Sequence, residues 1–406
     1  MMRCSRRAGA RLLALFVWLA ASGTALAESG INLPPPATTS AREIFYIHMR
    51  TMTIAAVVLA IVFAIIGYSL FVFRKSRGYV PDQNFHRGWF GRWSWVLVPV
   101  VVLGVDMSIA GSAEAVLEKL WLVPKDKDMM EVKVTGHQWW WEYEYLDQNV
   151  TVESRYLPQD KAGDLYLRAV DNPLVLPINR KIRFLHTSAD VNHSFWVPEF
   201  GFKKDAIAGY ITETWTVIEK EGVYRGQCAQ LCGTWHARMP IVVQAVSPER
   251  FAAWVGEQKV RMAAAEAESA SGKTWSKDEL MEKGMGLYNK TCAACHQLDG
   301  KGLVPAFPPL AAGAAFAAAD NMFKPLAERG FLKDGRIVLG SVPQHLDIVL
   351  NGIPGTAMQA WNKLNSLEVA AIVTYERNAF GNKTGDIVQV ADVEKARNAG
   401  AAAAAR

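Results

Sequence analysis

Hydrophobic and polar positions fall into four textures along this chain, and each predicts a different kind of structure. At the start, Arg3, Arg6, Arg7 and Arg11 precede or edge an apolar run from Leu12 to Ala20, and Ala25-Leu26-Ala27 follows. A basic start, a short apolar core and a small-residue cleavage site predict an export signal over residues 1–27, cut after Ala27. The apolar run is too short for a third membrane helix. Met52 to Phe73 then runs without a charge. At ~1.5 Å per residue that stretch reaches roughly 33 Å, enough to cross a bilayer core. A second apolar segment, Trp93 to Ala115, contains Pro99 and Asp106. A carboxylate is expensive in lipid, so this helix is expected to face another subunit. The connecting loop holds Arg74, Lys75, Arg77, Arg87 and Arg92 against Asp82. That excess of cations predicts a cytoplasmic loop and a transmembrane hairpin over 44–118, with both flanks outside.

From Met130 the pattern changes to short β-branched and aromatic runs broken by turn residues, such as Glu131–Thr135, Lys181–His186 and Ile241–Ala245. This texture predicts an all-β barrel or sandwich over 130–253. Residues 254–274 are rich in Ala, Glu, Lys and Ser and are expected to form a polar linker, helical or not. A mostly helical unit is predicted over 275–381, and the alanine-rich stretch 385–406 is expected to be a flexible tail, a frayed helix or disorder. The fold class is therefore multidomain: a two-helix transmembrane hairpin, an all-β barrel, then an all-α domain.

Composition adds little until the cysteines are considered. The formal charge of +5 includes cations of the export signal, which leaves no case for nucleic-acid binding. Cys4 lies in that signal; the other cysteines are Cys228, Cys232, Cys292 and Cys295. They fall in two tight pairs, each followed closely by a histidine. That pattern favours cofactors over disulfides.

Cys292-Ala293-Ala294-Cys295-His296 is a C-x-x-C-H run. Two thiols at this spacing add to the two vinyl groups of one haem, and the adjacent imidazole becomes an axial iron ligand. A redox dithiol or half a zinc site would use the same cysteines, but no second pair lies nearby to complete a zinc site. The sixth ligand is expected from Met358, which follows the loop Gly352-Ile353-Pro354-Gly355; Met322 is the rival, in a segment that reads as helix. Here the sequence resembles class I cytochrome c domains. The resemblance implies one covalently bound haem c, with Pro308-Pro309-Leu310 supplying a carbonyl that orients the axial histidine. Family members commonly have Pro after the axial Met, where this chain has Gln359. The change is expected to alter the stiffness of the loop and not ligation.

The second cluster, Cys228 to Met239, spells C-x3-C-x3-H-x2-M, with His193 upstream. Two thiolates four residues apart on a bent loop can bridge two soft ions, with one imidazole terminating each. A tetrahedral zinc site of Cys228, Cys232, His236 and His193 is the competing assignment. Met239 and the β-rich setting weigh toward copper. Together with Gly136-His137-Gln138-Trp139-Trp140-Trp141-Glu142-Tyr143-Glu144-Tyr145 and Asp190-Val191-Asn192-His193-Ser194-Phe195, the loop resembles the dinuclear copper domain of haem–copper oxidase subunit II, a cupredoxin-like barrel. The resemblance covers Ile44 to about Ala253. It implies that Cys228 and Cys232 bridge the coppers and that His193 and His236 are terminal ligands. It further implies that Met239 is a weak ligand and that the backbone carbonyl of Gln230 completes the set. Trp139 matches the surface aromatic through which an electron enters. Three departures stand out. Gln230 replaces a usual Glu that helps hold a redox-inactive metal. Gly88 to Trp93 offers no acid before the second membrane helix. Tyr210 replaces an Arg that contacts subunit I.

A haem domain fused after a copper domain is similar to the caa-type arrangement of bacterial cytochrome c oxidases. The resemblance implies a subunit of the inner (cell) membrane, with both domains on the periplasmic side. Its implied partners are subunits I and III and a cytochrome c or similar donor. Electrons would run from the haem to the dinuclear copper and on to subunit I, where oxygen is reduced to water. Two other readings stay open: the electron-accepting subunit of a copper-containing nitric oxide reductase, and a membrane-anchored relay without a catalytic partner.

Overall fold

A computed structural model describes residues 32–80, 83–124, 126, 128–304, 307–316, 324–354, 356 and 358–404. The export-signal segment 1–27 and Met322 lie outside the described residues.

Two long helices come first, α1 (Thr39–Val72) and α2 (Trp89–Trp121). Both exceed the apolar cores expected from the sequence, 52–73 and 93–115, because each continues as a polar-flanked helix up to the barrel. Val57, Phe63, Leu70, Val101 and Leu103 are exposed along them, as suits side chains facing lipid or another membrane helix. Their outer ends are tied to the barrel. Thr38 caps α1 by accepting from the Ala41 amide at 3.1 Å, and its hydroxyl donates to the Phe200 carbonyl at 2.9 Å. Arg42 meets Glu219 at 2.7 Å, and the Trp215 indole donates to the Lys119 carbonyl at 2.9 Å.

The barrel is two five-stranded sheets. One holds β1 (Met130–His137), β2 (Trp140–Tyr145), β3 (Val150–Ser154), β5 (Lys181–Ser188) and β8 (Thr212–Val217), in the order β3-β2-β1-β5-β8. The other holds β4 (Leu174–Pro177), β6 (His193–Val197), β7 (Phe202–Ala206), β9 (Gly222–Cys228) and β10 (Pro240–Val246), in the order β4-β10-β9-β6-β7. β1 runs parallel to β5 and β10 parallel to β4; the other pairings are antiparallel. Alternation explains the core: along β5, Ile182, Phe184, His186 and Ser188 point in while Lys181 and Arg183 point out. Trp141, Tyr143, Tyr145, Phe184 and Phe195 fill the space between the sheets. The Tyr145 hydroxyl bonds both the carbonyl and the amide of Val175 at 3.0 Å, which satisfies a buried polar tip.

Helix α3 (Pro248–Ser269) occupies most of the expected linker. Ser247 caps it, and Phe251 and Trp254 pack on Tyr145, so its first turns belong to the barrel. The last unit is built from α4 (Lys277–Thr291), the short turn α5 (Ala293–His296), a two-stranded hairpin of β11 (Leu332–Lys333) and β12 (Arg336–Ile337), α6 (Val342–Asn351) and α7 (Ser366–Asn378). The crossing of α4 and α7 is close because Gly284 has no side chain. A Cβ there would sit 2.2 Å from the Ala371 carbonyl oxygen. The tail is helical, as one reading of it allowed, and it is docked. Residues 390–404 form α8 (Val390–Ala404), and Val388 and Val393 are buried against Leu346, Val349, Val369 and Val373. Two valines among the alanines supply the apolar anchors that turn a nominal tail into a docked helix.

Candidate metal centres

Ladder geometry assembles the copper-type cluster. β9 ends at Cys228 and β10 starts at Pro240, and the Cys228 amide donates to the Met239 carbonyl at 3.0 Å, which closes the loop between them. His193 opens β6, the neighbour of β9. The Cys228 and Cys232 sulfurs are 3.8 Å apart, far beyond a disulfide bond, and both are free thiols. His193 Nδ1 lies 3.9 Å from the Cys228 sulfur, His236 Nδ1 3.4 Å from the Cys232 sulfur, and the Gln230 carbonyl 3.3 Å from the Cys228 sulfur. The donor atoms of His193, Cys228 and Cys232 all fall within 4.8 Å of one another. Met239 is buried in the same apolar cluster. On the far side of the ring, His193 Nε2 meets Asp190 at 2.8 Å, which aims Nδ1 at the sulfurs. Room is tight: a Cβ on Gly136 would lie 2.7 Å from the His193 ring, so only glycine fits there.

The charges in this cluster call for a cation. A hydrogen bond from Cys232 pulls the Cys228 thiol down to about 4, and the same bond, with burial, pushes Cys232 up. Two buried sulfurs this close do not both ionise without a counter-charge, which a thiophilic cation would supply. Two thiols, two imidazoles, a thioether and a carbonyl fit soft copper ions.

The haem-type cluster has a different shape. Cys292, Cys295, His296 and Met358 line one cavity, with Phe307, Pro308, Ile348 and Ile353 among its walls. The His296 ring bonds the Pro308 carbonyl through Nδ1 at 2.9 Å, which leaves Nε2 to a ligand in the cavity. Burial pushes its imidazole toward the neutral, ligating form. Burial also pushes the Cys295 thiol up to about 12 and Cys292 well above its ordinary value. Met358 is presented by a strap in which the Ile353 amide donates to the Met358 carbonyl at 2.8 Å and the Met358 amide to the Thr356 hydroxyl at 3.1 Å. A large apolar cavity edged by two thiols, an imidazole and a thioether fits a haem.

Residues 130–246 match the family of the cytochrome c oxidase subunit II periplasmic domain, and residues 27–110 match its transmembrane domain. Residues 279–375 match the family described as cytochrome c oxidase, cbb3-type, subunit III. A probable cytochrome c oxidase subunit 2 from Rickettsia conorii is 35% identical over 231 residues, which is 56% of this chain and 71% of the relative. The chain belongs to the cytochrome c oxidase subunit II family. Cytochrome c oxidase subunit 2 from Cereibacter sphaeroides is 33% identical over 57% of this chain and 80% of its own length. The periplasmic domain of a Bradyrhizobium japonicum oxidase subunit II, a solved structure, is 43% identical over 34% of this chain and 99% of its own, with a TM-score of 0.32.

This subunit II is thus a membrane-anchored part of an oxidase complex, with a copper centre in its external barrel and a haem-binding cytochrome c domain after it. Trp139 departs from the sequence expectation of a surface aromatic. It is 4% exposed, its indole donates to the Cys232 carbonyl at 3.1 Å, and its rings meet Trp235 at 5.6 Å and Phe307 at 5.9 Å. Phe307 belongs to the cytochrome domain, which sits on the face where the indole would otherwise be open. Several groups at this interface carried no assigned role in the sequence. Lys363 meets Glu142 at 2.5 Å and Glu144 at 3.3 Å, and the Arg155 guanidinium lies 4.0 Å from the Trp140 ring and 5.8 Å from the Trp361 ring. His345 and Glu376, 2.8 Å apart, form a buried pair at the haem cavity. A charge on the apolar face of a helix was the available signal for Glu376. The domain contacts had none, because nothing local pairs position 142 with 363.

Proposed function

We propose that this chain passes electrons from a covalently attached haem c to a dinuclear copper centre and on to a haem–copper subunit I, which reduces oxygen to water. Cys292 and Cys295 would hold the haem, with His296 and Met358 on its iron. Cys228 and Cys232 would bridge the copper ions, with His193, His236, Met239 and the Gln230 carbonyl around them. When bound, these groups supply one-electron redox chemistry. The membrane is the inner membrane of a bacterium, and a subunit III completes the complex. A soluble cytochrome c or similar donor reaches the cytochrome domain from outside.

One observation carries this reading. Phe307, a wall of the haem cavity, lies against Trp139, whose indole bonds the backbone of Cys232. This contact supports a path between the two sites through Phe307 and Trp139, with an outside donor meeting the haem domain instead of Trp139.

The test is to purify the full complex and measure metal content together with its paramagnetic resonance. The expected result is two copper ions per haem c in this subunit and a mixed-valence copper signal. Rapid mixing with reduced donor should show the haem reduced before the copper, and Trp139→Leu should slow the second step alone. Stoichiometric zinc with no copper would overturn the dinuclear assignment. Consumption of nitric oxide but not oxygen would move the complex to the reductase class.

A further inference from the structure

Gln359 stands directly after Met358, at a position where a proline was expected and where a change of loop stiffness was the anticipated consequence. Its side chain does not stay within the cytochrome domain. Gln359 Oε1 accepts a hydrogen bond from His137 Nδ1 of the copper barrel at 2.7 Å. His137 is the last residue of β1 and follows Gly136, whose backbone lies flush against the His193 ring. One residue from the haem strap is thus bonded to a residue one step from a copper-site contact.

The surroundings hold that bond rigidly. The His137 ring stacks on Trp140 at 3.9 Å and 8°, and Trp140 stacks on Trp361 at 6.0 Å and 14°. Trp361 lies two residues beyond Gln359, and its amide donates to the Val349 carbonyl at 2.9 Å. The strap is therefore fixed from within at Met358 and Trp361, and from outside at Gln359. His137 is buried, and its Nε2 has no hydrogen-bond partner. The Gln359 bond and the Trp140 stack are what orient the ring. Burial pushes the His137 imidazole down to about 4, so it is neutral at pH 7 and Nδ1–H is available to donate.

We propose that His137 and Gln359 form a brace between the two metal centres, through which docking on the copper barrel holds the strap that carries the haem's axial methionine. Both are positioning residues; neither touches a reacting group. A proline after Met358 would stiffen the strap from inside the cytochrome domain. Glutamine adds a restraint from the partner domain to those within the strap, so Met358 is held more firmly while the domains are docked. The proposal rests on the assignment of Met358 as the axial ligand.

The experiment follows the methionine–iron charge-transfer band of the oxidised full-length complex and the rate at which added imidazole displaces it. The unaltered protein should show the band and exchange slowly. Gln359→Leu and His137→Leu should each speed exchange roughly tenfold, the size of one net hydrogen bond. The double variant should be no faster than either single one. Gln359→Glu keeps an acceptor oxygen and should keep slow exchange. Should Gln359→Leu fail to assemble, His137→Leu reads the same bond from the other side. An unchanged rate in both single variants, or additive effects in the double one, would overturn the brace and leave the electron-transfer reading intact. Absence of the band in the unaltered protein would remove Met358 as ligand, and the brace with it.

Discussion

His193, Cys228, Cys232 and Met239 are buried in the fold of the barrel, on strand ends and a loop that the ladder closes. Cys292, Cys295, His296 and Met358 instead edge an apolar cavity walled by short helices and loops. In the first region the protein core is complete without the cofactor: Trp141, Tyr143, Phe184 and Phe195 pack between the sheets regardless of any ion. In the second the apolar residues form smaller clusters, around Val369 and Val373, Ile348 and Ile353, and Leu280 and Leu367, and the cavity lies beside them. The thiols differ in the same sense. One barrel thiol is pulled down by its partner, while burial pushes both cytochrome thiols up. A strand framework can hold a small charged site as an appendage, whereas a helical domain this small needs the large apolar group to fill it.

The most severe way to break that contrast is to prevent haem attachment. Replacing both Cys292 and Cys295 with Ala should unfold the cytochrome domain, an effect larger than the ~5 kcal/mol upper range of a single core truncation. Limited proteolysis should then cut at Lys290, Lys333 and Lys363, while residues 130–246 survive as a protected fragment. Removal of copper by chelation should leave both regions resistant. If the haem-free chain is as resistant as the native one, the cavity is not the domain's core.

Acid should reverse the ranking, because the barrel carries its own weak point. His186 is fully buried on β5, neither ring nitrogen has a partner, and burial pushes it down to about 3. Its folded pKa lies below its ordinary value, so the unfolded chain takes up the proton first. Stability from this group is complete above about pH 6.5 and lost as pH falls toward 3. At ~1.4 kcal/mol per pH unit, acidification from about pH 6.5 to about pH 4.5 should cost the barrel roughly 2–3 kcal/mol. Denaturant unfolding followed by tryptophan fluorescence at the two pH values measures this, and His186→Phe should flatten the difference. An undiminished pH dependence in that variant would place the acid sensitivity elsewhere.

The two regions also differ in how much the sequence reveals of them. The C-x-x-C-H run lies within five residues, and the copper loop within twelve, so local spacing brings their donors together. Alternation along β5 and the uncharged run in α1 were equally legible, because period and length are local properties. α8 was not, since an alanine-rich stretch reads as a tail until Val388 and Val393 are seen to have a groove to fill. The domain interface was the least legible part. His137 and Gln359, Glu142 and Lys363, and Trp139 and Phe307 are separated by more than 150 positions and share no motif. Trp139 was read as a surface residue because the family resemblance implies an exposed aromatic there, and nothing in the sequence shows that Phe307 packs over it.

The gentlest perturbation tests the seam between the regions. Glu142 is nearly buried, and Lys363 meets it at 2.5 Å from a side chain that remains 62% exposed. A fully buried pair costs about 3–5 kcal/mol to break, but the exposed lysine is screened by solvent, so Lys363→Met should weaken docking by only ~1 kcal/mol. Burial already raises the Glu142 pKa against the opposing pull of Lys363, and loss of the lysine should raise it further. The docked state then favours the protonated acid, so the variant's deficit should be small at low pH and grow as pH rises through the Glu142 pKa. Acrylamide quenching of Trp139, which is covered only while the domains are docked, measures the effect. A deficit that does not change with pH would mean that Glu142 stays charged without its lysine, and no deficit at all would mean that the seam is held by its aromatic stack alone.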